Sequence, residues 1–528
     1  MMRRSARWAL AAMAMTAPLG TVPARAADLT IAVGGAFTSM DPHFFDLSPN
    51  HALTWHVFDR LVHPDADQRP SPGLATSWRV IDERTWEFKL REGVRWQDGT
   101  PFTADDVVYT FERAPNVPNS PTSMGQYIRP VTRLEVVDAH TIRMHTAEPI
   151  PLIPQMMMSF SIIGRKQGEG MSTADYNSGK AAIGTGPYRL VSLALGDRAV
   201  FARNPDYWGR PQPWERVTYR MITNDSARVA ALQSGDVDAI DTVPTRDVAR
   251  ISRDNRLTVA SRPGLRLIYL YVDANRPVSP LVTDRDGKPI PNPMRDVRVR
   301  QALSIAINRE GIQRQIMEGY SKPTGQAQPE GAMGYDPSIP VPAYEPDRAK
   351  RLLAEAGYPD GFNITLSGPN DRYVNDDSIA QAIAQMWARI GVRTQVATTP
   401  ASVFFTAGGV RDEHSIALTG WSTSTGEPDT HLSLMLATPE PERGRGTRLR
   451  PSHYSNTSLD RLIDRALTTI DQEAREKLYF EAIRIGYQQE LAVIPIHHQV
   501  NIWAMRKGIS YTPQLSEQTR AMEFAPAR

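Results

Sequence analysis

The stretch GLATSWRVIDERTWEFKLREGVRWQDGTPFTADDVVYTFER, Gly73–Arg113, sets the pattern for the chain. Trp78–Val80 and Thr85–Leu90 read as strands. In the second, Trp86, Phe88 and Leu90 alternate with Glu87 and Lys89, the period of a strand with one face buried. Asp98-Gly99 marks a turn. Thr103-Ala104-Asp105-Asp106 is a capping-box pattern, with Asp in place of the usual Glu or Gln, ahead of the apolar Val107, Val108 and Phe111. Strands running into a capped amphipathic helix within 41 residues already point to mixed α and β structure.

Outward from this stretch the alternation continues. Leu29–Val33 is a short apolar run ending at Gly34-Gly35, a first strand. In Asp296–Ile312, Val299, Ala302, Leu303, Ala306 and Ile307 fall on one helical face. Asp347 is placed to cap a helix whose face is Ala349, Leu352, Leu353 and Ala356, stopped at Gly357. Ile379, Ile383, Trp387 and Ile390 make another stripe, ended at Gly391. Leu459, Leu462, Ile463, Ala466, Leu467 and Ile470 make a fourth. Each stripe is core packing and carries no chemistry. Strands such as Thr394–Ala397 and Ser415–Gly420 separate them, so the fold class is α/β, a sheet covered by helices. Arg276–Pro293 and Lys322–Pro346, crowded with Pro and Gly, read as long surface connections. No internal repeat stands out.

Gly73–Arg113 resembles the signature region of the family 5 extracellular solute-binding proteins, the dipeptide-, oligopeptide-, glutathione- and nickel-binding receptors of ABC importers. The resemblance continues through Gly184–Leu190 (GTGPYRL), Arg203–Gly209 (RNPDYWG), Gly235–Pro244 (GDVDAIDTVP) and Asp296–Ile312. It runs on through Ala349–Phe362 and Tyr454–Leu467, in the same order. It implies a two-lobed periplasmic binding protein fold with an inserted domain. Residues 27–70, 184–266 and 498–528 would form domain I, 71–183 the inserted domain II beside it, and 267–497 domain III, the opposite lobe. The chain would cross between lobes near Leu265–Tyr271 and Ile496–Asn501, making a hinge. The implied partners are a small peptide or peptide-like ligand and inner-membrane ABC permease subunits, with the receptor a monomer.

Composition and address agree. The chain has 528 residues, 41% hydrophobic and 22% charged, as a core-forming protein of two to four domains requires. Arg3, Arg4 and Arg7 precede the nearly unbroken apolar run Trp8–Gly20, and Ala24-Arg25-Ala26 is an A-x-A cleavage site. Residues 1–26 therefore read as a signal peptide cleaved after Ala26, with Sec export expected ahead of the twin-arginine route. Cleavage removes four Arg and no acid, so Lys+Arg falls from 60 to 56 against 58 Asp+Glu and the formal charge becomes −2. No basic excess is left for nucleic acid. There is no Cys, which excludes disulfides, thiolate metal sites, cysteine nucleophiles and the lipid-anchoring cysteine of a lipoprotein. The expected location is the Gram-negative periplasm.

The candidate binding stretch is Ser415–Asp429, SIALTGWSTSTGEPD. A short strand runs into Trp421 and the hydroxyl run Ser422, Thr423, Ser424 and Thr425. Gly426 lets the chain turn, and Glu427-Pro428-Asp429 leads into a short apolar helix near Leu432. Ligands of open α/β sheets sit beyond the carboxyl ends of strands, and an aromatic face with small polar groups suits such a pocket. The competing reading makes Trp421 core, the hydroxyls turn-formers and Asp429 a helix cap. Phe37, in the loop after the first strand, offers the same combination of aromatic and hydroxyls. By the resemblance, peptide-binding members carry an Asp three residues after this Trp, where it meets the ligand's α-ammonium; here Ser424 stands there. The segment GWSTSTGEPD is most similar to the glutathione-binding members. Glu427 and Asp429 are acids that could serve a cation in another register. For a ligand carboxylate the candidate is Arg372, in the loop GPNDRYVNDD, although dipeptide-binding members carry their Arg a few residues later, where this chain has Asp376 and Asp377. A bidentate guanidinium suits that task; a solvated loop arginine is the plain alternative.

No nucleophile elbow, zinc-protease helix or phosphate loop occurs. The spacings of His51 and His56 and of His497-His498 do not put two rings on one regular face. No metal, no cofactor and no catalytic residue are expected. The function implied is capture of a short peptide or peptide-like solute, glutathione-like included, for an importer. Receptors for a nickel chelate, haem, an opine or a sugar on the same fold are the alternative, and a secreted peptide hydrolase is the remote one.

Overall fold

The computed structural model describes residues 28–527 apart from 410, 441, 443–444 and 447–452. The expected signal peptide, residues 1–26, lies outside these residues. A twelve-stranded mixed sheet organises the chain. At one end Asp28–Val33 pairs in parallel with both Arg216–Met221 and Ala239–Ile240. At the other, Asn363–Pro369 pairs in parallel with both Arg393–Thr399 and Ile416–Trp421. Two long antiparallel partners, Leu257–Val272 and Val493–Arg506, join the two ends. A separate four-stranded antiparallel sheet holds Ala75–Asp82, Thr85–Leu90, Thr141–Thr146 and Val131–Asp138 in that order.

The buried apolar residues follow this division. Leu29, Ile31, Phe58, Phe201 and Trp503 pack at the first end, with Ala32, Val229, Ile240 and Ile502 beneath them. Leu303, Leu366, Ile379, Trp387 and Ile494 pack at the second, with Leu432, Ile463 and Tyr487 on the other face of its sheet. The small sheet has its own core around Phe88, Trp96, Val107 and Phe160. Each long strand has residues in both of the large cores: Leu257 lies in the first and Leu270 in the second, Ile502 in the first and Ile496 in the second.

The ladder between the long strands breaks where they pass from core to core. The register shifts between Pro263 and Leu267. There the Leu265 N–H turns to the carbonyl of Leu515 at 3.1 Å, and Asn501 Nδ2 donates to the same oxygen at 3.3 Å. Gly264 is needed here, because a Cβ would lie 2.6 Å from Asn501 Nδ2. The C-terminal tail thus braces both strands at the crossing.

Local sequence logic holds along most of the chain. The helix Ala104–Arg113 starts in a capping box, with the Asp106 carboxylate accepting the Thr103 N–H at 3.0 Å. The same carboxyl also accepts from Trp96 Nε1 at 3.1 Å, which ties the helix start to the core below it. The stripes at Val299, Ile379 and Leu459 lie on helices Val297–Ile305, Asp376–Ala388 and Thr457–Thr468, each with its apolar face buried. One expectation is corrected: Glu345, not Asp347, precedes helix Pro346–Glu355, and Asp347 sits in its first turn. Pro346 at the first helical position needs no N–H partner and sets the start two residues earlier. The short apolar helix expected near Leu432 is His431–Leu436, wound with the wider π turn. No helix of the described residues is long and apolar enough to cross a membrane.

Candidate functional site

In both halves the parallel strands point their carboxyl ends at the space between the large cores. From the first half come Val33 at the end of Asp28–Val33 with Gly34 and Gly35 after it, Thr223 after Arg216–Met221, and Asp241 after Ala239–Ile240. From the second half comes the loop Asn370–Ser378 after Asn363–Pro369. They enclose a cavity of about 1020 Å³, floored by Gln499, Asn501 and Trp503 of the crossing strand. Ligand sites of α/β sheets lie at this end of the strands because the loops there are free to vary.

The loop Asn370–Ser378 is held rigidly. Asp376 accepts the backbone N–H of Arg372 at 3.1 Å and of Tyr373 at 3.0 Å. Burial raises the Asp376 carboxyl above its usual range, and these backbone donors work against that rise. Asn375 takes φ of 57°, a left-handed conformation that Asn tolerates better than most residues. Its amide donates to Ile316 O at 2.9 Å and, across the cavity rim, to Thr245 Oγ1 at 3.1 Å. The Tyr373 hydroxyl donates to Gly420 O at 3.0 Å, which fixes the loop to the strand that carries Trp421.

Arg372 therefore projects from a fixed backbone. Its side chain is exposed on the cavity wall, 5.3 Å from the Tyr373 ring centroid, and forms no ion pair or side-chain hydrogen bond among the described residues. Nearby, Arg266 and Glu517 form a two-point ion pair at 2.9 and 2.7 Å. Burial pushes the Glu517 carboxyl upward, but Arg266 outweighs it, with a further pull from Arg372, and the carboxyl falls to about 2. Glu517 comes from the C-terminal tail, so this pair ties the tail to the first crossing strand.

The stretch after Trp421 has other partners. Trp421 is half-buried against the second core, with its indole N–H donating to Thr430 Oγ1 at 2.9 Å, and it is not on the wall of the 1020 Å³ cavity. Glu427 is buried: Arg475 grips both its oxygens at 3.0 Å, the Tyr479 hydroxyl donates at 2.9 Å, and Gln155 from the small-sheet region donates at 2.9 Å. Asp429 is also buried and accepts from the hydroxyls of Thr423 and Thr425. Burial, reinforced by the charge of Glu427, pushes its carboxyl up to about 6. Ser422 and Ser424 are half-buried. The Ser424 carbonyl accepts Gln68 Nε2 at 3.1 Å, and its side chain meets the Tyr127 hydroxyl. Gly426 sits at φ of 77°, where a Cβ would lie 2.6 Å from Gln68 O. This segment thus packs against the first half and the small sheet, with its two acids already engaged.

Phe37 points inward, 2% exposed, with its ring 6.0 Å from that of Tyr219. Of the residues singled out in the sequence, only Arg372 lines the cavity. Asp241, Arg266 and Glu517 line it and were not singled out. Asp241 lies inside the quoted motif GDVDAIDTVP, where an acid straight after an apolar Ala-Ile pair was the available signal. The Arg266–Glu517 pair joins residues 251 positions apart, and no local pattern reveals it. Among the described residues no cluster of three or more His, Asp or Glu is arranged to hold a metal ion.

With this geometry in place, the comparisons define the class. The model of the bacterial extracellular solute-binding proteins, family 5, matches residues 69–441. The chain belongs to that family, the solute-binding components of ABC importers, and has the two-lobed periplasmic binding protein fold. Within it, the chain is similar to the glutathione-binding protein GsiB of Salmonella typhimurium, 29% identical over 491 residues, which cover 92% of this chain and 91% of that protein. Among solved structures it is similar to the periplasmic binding protein DppA of Helicobacter pylori in complex with the peptide STSA, at a TM-score of 0.76 and 22% identity, covering 95% of this chain and 98% of that one. It is also similar to the ABC transporter substrate-binding protein CtaP of Listeria monocytogenes, at a TM-score of 0.80 and 23% identity, covering 95% and 99%.

Proposed function

We propose that this chain is a periplasmic receptor that captures a short peptide or peptide-like solute, glutathione-like included, and delivers it to an inner-membrane ABC permease without making or breaking a bond. The observation that carries this reading is an unpaired guanidinium, Arg372, on a rigid loop beside a cavity of about 1020 Å³ between the lobes. The volume is at the upper end of small-molecule pockets, roughly 300–1000 Å³, and suits a solute of a few residues. A bidentate guanidinium recognises a carboxylate. The similarity to a glutathione-binding protein and to a peptide complex supports the same solute class. The domain division 27–70, 184–266 and 498–528, then 71–183, then 267–497 remains our reading, and the separation of the three cores supports it. Export by residues 1–26, cleavage after Ala26 and a monomeric, unlipidated receptor belong to the same proposal.

The test is binding of the purified protein to dipeptides, tripeptides, glutathione, haem, nickel chelates, opines and sugars, followed by melting temperature and calorimetry. Ligands that bind only the folded state raise the melting temperature. A peptide or glutathione is expected to bind, and Arg372→Ala should weaken it by about tenfold or more while leaving the unliganded melting curve in place. Selective binding of a haem, nickel chelate, opine or sugar replaces the peptide reading. Unchanged affinity in Arg372→Ala removes the carboxylate assignment.

A further inference from the structure

Ten charged residues line the cavity, six acids and four arginines. Most already have partners. Arg266 is engaged by Glu517. Asp376 caps the backbone of its own loop, Asp371 accepts the Ala401 N–H at 2.8 Å, and Asp377 accepts the Thr398 hydroxyl at 2.6 Å. Arg246 is exposed beside Asp247 on its own helix. Arg228 lies fully buried under the floor and has all of its donors engaged. Its Nε reaches Asp241 O at 3.1 Å, Nη1 reaches Ile222 O at 2.8 Å, and Nη2 reaches Asp225 Oδ1 at 2.8 Å and Thr242 O at 2.7 Å.

The Asp241 side chain is different. It is 8% exposed on the cavity wall, at the carboxyl end of a strand, and forms no ion pair among the described residues. Although Arg228 is adjacent, that guanidinium takes the backbone carbonyl of Asp241 and not its carboxylate. One carboxylate oxygen accepts the Gly34 N–H at 2.8 Å. Gly34 allows this approach because a Cβ there would press on the Arg228 guanidinium at 3.0 Å. Burial raises the Asp241 carboxyl above its usual range, and the nearby Arg228 charge, the Gly34 N–H and the Thr519 and Thr242 side chains only partly offset that rise.

On the facing lobe Arg372 is the guanidinium that forms no ion pair among the described residues, although its charge reaches Glu517. The first lobe thus offers an acid, and the second a guanidinium, that form no ion pair among the described residues, on the walls of one cavity. We infer that Asp241 is a ligand-binding residue that takes the α-ammonium of a zwitterionic peptide whose carboxylate meets Arg372, so that the solute completes one ion pair on each lobe. This rests on the peptide reading above. It also gives the ammonium a site on the first lobe, while Ser424, Glu427 and Asp429 of the Trp421 loop supply no free carboxylate for it.

The probe is a defined pool of di- and tripeptides, each present free and as its N-acetylated form. The pool is incubated with the purified protein and the retained species are read by native mass spectrometry. Wild type is expected to retain free peptides over their N-acetylated forms by about tenfold or more, and Asp241→Asn should abolish that preference while keeping the unliganded melting temperature. Acetylation alters the ligand alone, so its arm stands even if the variant folds poorly. Retention of free and acetylated peptides alike by wild type overturns the Asp241 assignment and leaves the peptide reading intact. So does retention by Asp241→Asn of the full preference for free peptides. Retention of no peptide in either form overturns both.

Discussion

At the residue scale the two acids after Trp421 show how a plausible site residue becomes a structural one. Glu427 is buried between Arg475 and Tyr479, so removing its charge leaves a buried guanidinium without a carboxylate, held only by the carbonyls of Thr469 and Ile470. Breaking a buried pair from one side costs about 3–5 kcal/mol. Glu427→Gln should therefore lower the unfolding free energy by about that amount in urea titrations, and a change below about 1 kcal/mol would show the pair to be of little consequence. Asp429 gives a pH signature. Its carboxyl is raised from 3.8 to about 6, chiefly by burial. Between these values the folded chain binds a proton that the unfolded chain does not, so this group's contribution is fully present below 3.8 and is lost as pH rises through about 6. The loss amounts to about 3 kcal/mol. Asp429→Asn should remove that slope, and urea titrations of both proteins from about pH 4 to pH 7 measure it. The place of Arg372 on the cavity wall was legible because a lone arginine in a polar loop between strand and helix has few internal duties. The engagement of Glu427 was not legible, because Arg475 and Tyr479 lie on a helix 48 and 52 residues further on.

At the scale of the element, the loop Asn370–Ser378 does for Arg372 what packing does for a core side chain. Asp376 pins two of its amides and Asn375 anchors its end. Asn375→Gly keeps the left-handed backbone but removes the amide's bonds to Ile316 and Thr245; it should cost about 1 kcal/mol. Asn375→Ala also puts an alanine at φ of 57° and should cost about 1 kcal/mol more. A larger loss for Gly than for Ala would reverse that assignment. Elements of this size were well marked in the sequence. The capping box at Thr103 and the stripes at Val299, Ile379 and Leu459 form helices because their periods match a buried face. The misplaced cap at Asp347 reflects the competing preference of Pro346 for the first helical position. The π turn at His431–Leu436 has no period of its own to read.

At the scale of the whole molecule, three side-chain hydrogen bonds join the two halves. Gln68 Nε2 reaches Ser424 O at 3.1 Å, Gln155 Nε2 reaches Glu427 Oε1 at 2.9 Å, and Asn375 Nδ2 reaches Thr245 Oγ1 at 3.1 Å, all across the gap between the lobes. Asn375 keeps its bond to Ile316 and Glu427 its bonds to Arg475 and Tyr479 without these contacts, so the three bonds favour closure without recognising the solute. Each is worth about 1 kcal/mol. Replacing both Gln68 and Gln155 with Ala should shift the population toward the open form, seen as a larger radius of gyration in small-angle scattering, and weaken ligand binding by roughly tenfold or more. An unchanged radius and affinity would mean that the bound solute alone decides closure. The sequence announced the two crossings through its resemblance to a family. It could not announce these latches, which join side chains up to 356 positions apart.

The backbone oxygen of Leu515 receives the Leu265 N–H from one connector and the Asn501 amide from the other. A single atom is then shared by both connectors, and they are expected to swing together. If so, one spectroscopic ruler between a pair of introduced cysteines, unambiguous in a chain that has none of its own, reports the swing of both.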